Sequence, residues 1–359
     1  MSFRRVRSEM EHHVRSSQRQ YGVSAREALP LVHQLRSCSI TRFRMGFKVS
    51  AVVCTHNPHD DHFRRTLAGL RRQTLDGDRW ELLIVDNASD VSLADQIDTS
   101  WHPNGRVVRE DRVGLTHARL RSFHEAEAPL LVYIDDDNVL DPVYLERVTA
   151  LFETHLEVGA LGGKALPEYE VHPPDWFDEV GMGLGCRDLG DDVQLASWKN
   201  VPPDDRSYPE CAPIGAGLAI RREAYQTYVE SAARDARRTA LGRAGESLAS
   251  GEDNDIVMTL LEEDWSVGYF PSLKLTHLIP QERVTPTYLA DLAESSNKTW
   301  VTVLDVHGIR PWSPIAAWTV PLRKAWAYVN LRAWRSDLNR IQWRGACGIF
   351  EGRALLGDN

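Results

Sequence analysis

The chain has 359 residues, 42% hydrophobic and 26% charged, which suits a globular enzyme with one large α/β domain plus extensions, or with two domains. A formal charge of −9 argues against nucleic acid as the main partner, because a phosphate-binding surface needs clustered cations. Five scattered cysteines with no CxxC pair argue against a disulfide framework or zinc site, and no secretory pattern or bilayer-length apolar run is present, so a cytoplasmic protein is expected.

Residues 1–47 are rich in arginine and show only a weak helical rhythm (Leu29, Leu31, Val32, Leu35); they form a basic extension. From Lys48 to Asn57 a short apolar, β-branched run reads as a buried strand ending in Thr55, His56 and Asn57. Pro58 opens a helix with Phe63, Leu67 and Leu70 on one side. Trp80 to Ala88 is a second strand ending in Asp86-Asn87, and Arg106 to Arg109 a third, short one. Leu115 to Ala126 is helical, and Pro129 to Asp135 is an apolar strand that stops at carboxylates. Asp141-Pro142 has the form of a helix start, with aspartate as N-cap and proline in the first turn. Pro167 to Pro213 is rich in Pro, Gly, Asp and Trp and reads as a long irregular segment, of the kind that is often functional. Order returns at Ile214 to Tyr225, a helix follows the turn at Gly251, and Ser266 to Ile279 reads as a strand. Alternating strands and helices imply a mostly parallel, Rossmann-like sheet with helices on both faces. In such sheets ligands bind beyond the carboxyl ends of the strands, where the three polar clusters converge.

The run Asp135-Asp136-Asp137 needs a cation or strong donors nearby, since adjacent carboxylates repel one another. Mg²⁺ or Mn²⁺ held by carboxylates and substrate phosphates would answer that need; a solvated turn is the plainer alternative. An EF-hand fails because Val139 and Leu140 stand at the fifth and sixth positions. Gly251-Glu252-Asp253 places two acids at the start of a helix. They could supply a base for proton removal or simply complement the helix dipole, and spacing does not separate the two.

The blocks VSAVVCTHN, LLIVDNASD, GLTHARLRSF, LVYIDDDNVLDP, GAGLAIRREA and GEDNDIVMTLLEEDW, in this order from about Lys48 to Leu289, resemble the inverting family-2 glycosyltransferases of the GT-A fold. The resemblance implies a GT-A domain over 48–295, with a nucleotide-binding half at about 48–166 and an acceptor half at about 167–295. It implies transfer of a sugar from a nucleoside diphosphate to a hydroxyl of a glycan or lipid-linked acceptor, in polysaccharide or glycolipid synthesis. By the same resemblance Thr55, His56 and Asn57 border the nucleotide, Asp86 bonds the base, and Arg119 lies on the nucleotide side. Asp135 and Asp136 face ribose and metal waters, Asp137 binds Mn²⁺ or Mg²⁺, Asp253 is the base, and Glu252 orients the acceptor or supports the structure. His277, at the end of its strand, is a second metal candidate or a structural histidine, with Arg283 a weaker candidate for the diphosphate. Two departures stand out: Leu120-Arg121-Ser122 where Asn and a small residue are usual, and His56 where tyrosine is commoner. A catalytically inactive nucleotide- or glycan-binding relative is the alternative.

Six of the eleven tryptophans follow Ser296, in a 296–359 extension that also carries Arg323, Lys324, Arg332, Arg335, Arg340 and Arg344. Trp326, Val329, Ala333 and Leu338 are placed on one helical face. Peripheral contact with the inner face of a membrane, a platform for sugar rings, and a helix packed on the domain are the three readings.

Overall fold

The computed structural model describes residues 46–245 and 247–356. The weak rhythm expected at Leu29–Leu35 lies outside them. In chain order the elements are β1 (Val49–Thr55), α1 (Asp60–Arg71), β2 (Trp80–Asn87), β3 (Gly105–Glu110), α2 (Leu115–Glu125), β4 (Leu130–Ile134), β5 (Asn138–Leu140) and α3 (Tyr144–Thr154). Then follow β6 (Val158–Tyr169), α4 (Phe177–Val180), β7 (Gln194–Ala196), β8 (Ala219–Arg221), α5 (Arg222–Ala232), α6 (Ala236–Thr239), α7 (Glu252–Glu262) and β9 (Ser266–Ile279). Three long helical elements close the order: α8 (Pro286–Val306), α9 (Val320–Asn330) and α10 (Asp337–Leu355).

One sheet runs β3-β2-β1-β4-β8-β6-β9-β5, with β7 added on β9. Its first four strands are parallel, as the apolar runs predict. The alternation of β1 shows why: Val49, Ala51 and Val53 enter one core layer under α1 and α3, while Val52 enters the other with α2, α5 and α7. A strand apolar on both faces has to be covered on both. The second half is mixed. Here β8 runs antiparallel to β4 and β6, β6 pairs β9 in parallel, and β5 and β7 run antiparallel to β9.

The β6–β9 pairing carries a register shift between Gly162 and Lys164. At Gly163 a Cβ would stand 2.1 Å from the Leu273 carbonyl oxygen, so only glycine allows the strands to approach there. The Asn138–His277 pairing of β5 with β9 brings the acidic run beyond β4 against the end of β9.

Several expectations are adjusted. The helix after Asp141-Pro142 starts at Tyr144, and its N-cap residue is Val143. Asp141 instead closes the preceding turn, accepting from the Val143 and Tyr144 amides. The segment 167–213 is not irregular throughout: β6 extends to Tyr169, and α4 and β7 lie within it. The dividing line expected at residue 295 falls within α8. The proposed tryptophan face does not exist as one face. α9 stops at Asn330, Arg332 has a φ of +52°, and Ser336 caps a new helix by accepting from the Asn339 amide. Ala333 is buried while Trp326 and Val329 face solvent. α10 packs along α8, where a Cβ at Gly348 would meet the Glu294 carbonyl oxygen at 2.0 Å. No helix among the described residues is long and apolar enough to cross a membrane.

Candidate active site

A cavity of about 600 Å³ opens at the carboxyl ends of β1, β2 and β4. Thr55, His56, Asn87 and Asp135–Asp137 line it on the sheet side, and the start of α7, the middle of α8, and His277 line it opposite. Positions 296 and 297 of α8 belong to the lining too, so chain beyond residue 295 helps to build the site.

The acidic run is held by cations and donors. Thr55 Oγ1 donates to Asp136 Oδ2, and Thr66 Oγ1 donates to the Asp136 carbonyl at 3.0 Å. Burial and the adjacent Asp137 charge push the Asp136 carboxyl upward. Asp137 is buried and differs sharply. Its Oδ2 accepts from Arg283 Nη1 at 2.8 Å, and its Oδ1 lies 3.2 Å from His277 Nε2. Burial alone would raise its carboxyl, but the His277 hydrogen bond and the His277 and Arg283 charges hold it well below the usual range. Burial opposes charge on His277 too, and there the hydrogen bond to Asp137 prevails and keeps the ring protonated above its usual range.

The second cluster sits at the N-terminus of α7. Gly251 lets that end press against α8, where a Cβ would meet Thr299 Cγ2 at 2.6 Å and Val303 Cγ2 at 2.8 Å. Glu252 is buried, and neither carboxylate oxygen has a hydrogen-bond partner. Its one ion-pair partner among the described residues is Arg119, at 3.4 Å. Burial therefore pushes its carboxyl up to about 7, with Arg119 opposing. Asp253 is half-buried; its Oδ2 accepts from the Gly215 amide at 3.1 Å and its Oδ1 from the Asn254 amide at 3.0 Å. Burial raises it, and Arg119 and the two amides work against the rise. Arg119 stacks over the Tyr133 ring at 5.0 Å. Its helix, α2, is pinned at the C-terminal end by the buried Arg222, which donates to the carbonyls of Phe123, Ala126 and Ala128.

The structure thus gathers Thr55, His56, Arg119, Asp135, Asp136, Asp137, Glu252, Asp253, His277 and Arg283 around one space. It does not bring in Asp86 or Asn57. Asp86 lies outside the lining, with its carboxylate taken by the Ser89 and Leu93 amides and by Arg109 at 2.8 Å. Asn57, at a φ of +49°, exchanges hydrogen bonds with Asp90 and ties two loops together. Their neighbour Asn87 reaches the cavity instead, its Oδ1 accepting from the Gly114 amide at 2.7 Å and its backbone oxygen lying 2.7 Å from His56 Nδ1. Sequence reasoning also missed Arg243, a lining cation with no ion pair among the described residues. It sits in a non-periodic loop, Gly242-Arg243-Ala244-Gly245, which offers no pattern to read.

Residues 50–228 match the family model described as glycosyl transferase family 2. The glucosyl-dolichyl phosphate glucuronosyltransferase of Haloferax volcanii is 22% identical over 221 residues, which cover 60% of this chain and 64% of that protein. The chain therefore spans just under two thirds of that relative's length. Among solved structures, GalNAc-T7 with UDP, GalNAc and Mn²⁺ aligns with a TM-score of 0.51 at 16% identity, covering 86% of this chain and 56% of that one. Staphylococcus aureus TarS 1–349 with UDP-GlcNAc aligns at 0.49 and 14% identity, over 87% of this chain and 92% of that one. The chain belongs to glycosyl transferase family 2 and has the GT-A fold.

Proposed function

We propose that this family member moves a sugar from a nucleoside diphosphate to an acceptor hydroxyl, with Asp253 as the base. The observation that carries the reading is the meeting, in one cavity, of Asp253 and the Asp135–Asp137 run with the cations Arg119, Arg243 and Arg283. A diphosphate leaving group needs the cations, and an attacking hydroxyl needs a carboxylate able to accept a proton.

Asp253 is suited to that work because burial raises its carboxyl toward working pH while the Gly215 and Asn254 amides fix both oxygens. The base deprotonates the hydroxyl as its oxygen attacks the anomeric carbon, and the nucleoside diphosphate departs from the other face, which inverts that centre. No carboxylate nucleophile is invoked, unlike the two-step retaining route. Glu252 and Arg119, buried together, hold the start of α7 in place behind Asp253. His56 and Asn87 border the nucleoside, and Arg243 and Arg283 receive the diphosphate. Asp86 supports the loop after β2, and Asn57 plays the same supporting role for the loop after β1.

The residues fit a divalent cation. Asp137 Oδ1 and His277 Nε2 stand 3.2 Å apart, the spacing of two ligands each about 2.1 Å from one ion. No group of three or more His, Cys, Asp or Glu side chains among the described residues is arranged to hold a metal. Asp137 and His277 would therefore hold the ion jointly with donor phosphates, a set in which the imidazole suits Mn²⁺ better than Mg²⁺. Bound there, it would supply charge stabilisation to the diphosphate. His277 must lose its proton to ligate, and Arg283 must turn from Asp137 to phosphate. The neighbour solved with UDP and Mn²⁺ supports this reading, and the relative's dolichyl phosphate-linked glucose supports a lipid-linked acceptor.

The test is release of nucleoside diphosphate from a panel of UDP-, GDP- and TDP-sugars with Mn²⁺, by the purified chain and by Asp253→Asn. Release of one donor's diphosphate, lost with EDTA and in the variant, is expected. Tight donor binding without turnover under any condition would instead make the chain a nucleotide-binding module.

A further inference from the structure

α9 is mounted with its apolar side outward. Leu322, Trp326 and Val329 recur in it at spacings of four and three and so share one helical face, and Trp318 precedes them in the short 3-10 turn Ala317–Thr319 that leads into the helix. Trp318, Leu322, Trp326 and Val329 are 75%, 65%, 65% and 63% exposed, the reverse of an ordinary surface helix. The opposite side is fixed. Ala327 is buried, the Lys324 ammonium is bound by Glu294 and Glu351, and the Lys324 carbonyl accepts from Trp343 Nε1. Rotation to hide the stripe would break these contacts. Beside the stripe, Leu322 and Trp326 form an apolar groove with Phe350 of α10.

Charge says what covers this face. From Thr319 to Ser336 the chain carries Arg323, Lys324, Arg332 and Arg335 and no acidic residue. Lys324 is engaged, but Arg323, Arg332 and Arg335 are exposed and have no carboxylate partner among the described residues. Elsewhere on the surface, arginines such as Arg65, Arg109 and Arg112 are paired with acids. A second copy would set like charge against like. The first 45 residues, with nine arginines and three glutamates, are repelled in the same way.

We propose that α9 docks on an anionic phospholipid surface, with the Trp318–Leu322–Trp326–Val329 stripe in the headgroup–acyl boundary and Arg323, Arg332 and Arg335 on lipid phosphates. Tryptophan and arginine are suited to these two depths, and each basic residue near such a surface adds to binding. The inference rests on this face alone and stands whether or not the cavity transfers sugar.

The experiment is flotation of the full chain with vesicles of phosphatidylcholine, with and without phosphatidylglycerol. Partition should be at least about tenfold stronger on the anionic vesicles, and Arg332→Glu with Arg335→Glu should lower it roughly 30-fold. Leu322→Glu with Trp326→Glu should lower it about tenfold or more. All four side chains are exposed, so both double variants should keep the parent's melting transition, which verifies that the fold is intact. Failure to float with anionic vesicles overturns the proposal. So does undiminished binding by both double variants, which would move the contact to the arginine-rich first 45 residues. Lipid-independent self-association that Trp326→Glu abolishes would assign the face to a second copy and equally overturn it.

Discussion

Of the two acidic clusters that border the cavity, one holds a carboxylate, Asp137, whose electrostatics are opposite to those of Glu252 and Asp253 in the other. Beyond β4, Asp137 is matched by Arg283 and His277 and stays ionised far into acid. At the start of α7, Glu252 and Asp253 share Arg119 as their nearest cation, and both carboxyls are raised. Cations set within bonding distance make Asp137 a fixed anion, although burial and its charge raise the adjacent Asp136. Scarcity of them leaves Glu252 able to exchange a proton near neutrality and raises Asp253 beside it. The difference lies in neighbours, not in residue type, and in the proposed function it divides holding a donor from activating an acceptor.

The sharpest way to break this division is Asp253→Asn. Turnover should fall by about 10²–10⁴-fold, with donor affinity by calorimetry nearly unchanged. An equal loss of donor affinity would place Asp253 on the donor side and erase the contrast. The intact enzyme should also gain activity as pH rises through a range above that of ordinary carboxylates, because protonated Asp253 cannot accept a proton. A pH–rate profile already flat down to the ordinary aspartate range would count against a raised base.

Asp137→Ala should strike the other side. Donor binding should lose its response to Mn²⁺, and turnover should fall on the order of 10²-fold. The variant should also unfold more easily, by about 3 kcal/mol, because His277 and Arg283 lose their counter-ion. Denaturant titration measures that term separately from activity.

Acidification distinguishes the clusters in stability. The folded Glu252 carboxyl lies near 7 against an ordinary 4.5, so folded protein takes up that proton first. Its contribution rises as pH falls from about 7 toward 4.5, by an amount on the order of 2 kcal/mol. Asp137, with a depressed carboxyl, contributes stability above its ordinary range and loses it only as pH falls below about 4. Relative to Glu252→Gln, the parent should therefore gain melting temperature between neutral pH and about 5; a parallel pH dependence would remove the distinction. The smallest effect is expected from Arg243→Ala, which should weaken donor binding about tenfold, the scale of one charge-assisted hydrogen bond, with the melting transition unmoved.

How far these features were legible depends on how far each is local. β1, β2 and β4 show as short, largely apolar runs, and β9, although Pro271 and Lys274 interrupt it, occupies the expected Ser266–Ile279 span. The acidic blocks at 135–137 and 252–253 mark their own positions. β6 escaped notice because Gly162, Gly163 and Pro167 interrupt it, and those residues serve a register shift that only β9 explains. The three-residue strands β5 and β8 are too short to carry a period. Asp86 and Asn57 lie outside the cavity lining and Asn87 within it, a difference of one residue that pattern cannot give, because it marks a strand's end but not which residue there borders the crevice. Arg243 and the α8 lining depend on packing across the chain, which no local motif records. The tryptophan segment was legible as basic and aromatic, while the break after Asn330 hinges on Arg332 adopting a left-handed turn.

The tie between Asp137 and Arg283 spans 146 residues of chain. On a ribosome adding about 5–20 residues per second, Asp137 precedes that partner by roughly 7–30 s. During that interval the parallel strands β1 to β4 can already pair, because they are close in sequence, yet their acidic end has neither β9 nor its cations. β9 also completes the core, giving Phe270, Leu273 and Leu275 to one layer and Val267 to the other. Assembly of the cavity is in this way tied to completion of the sheet: the last long strand to be synthesised finishes core and site together.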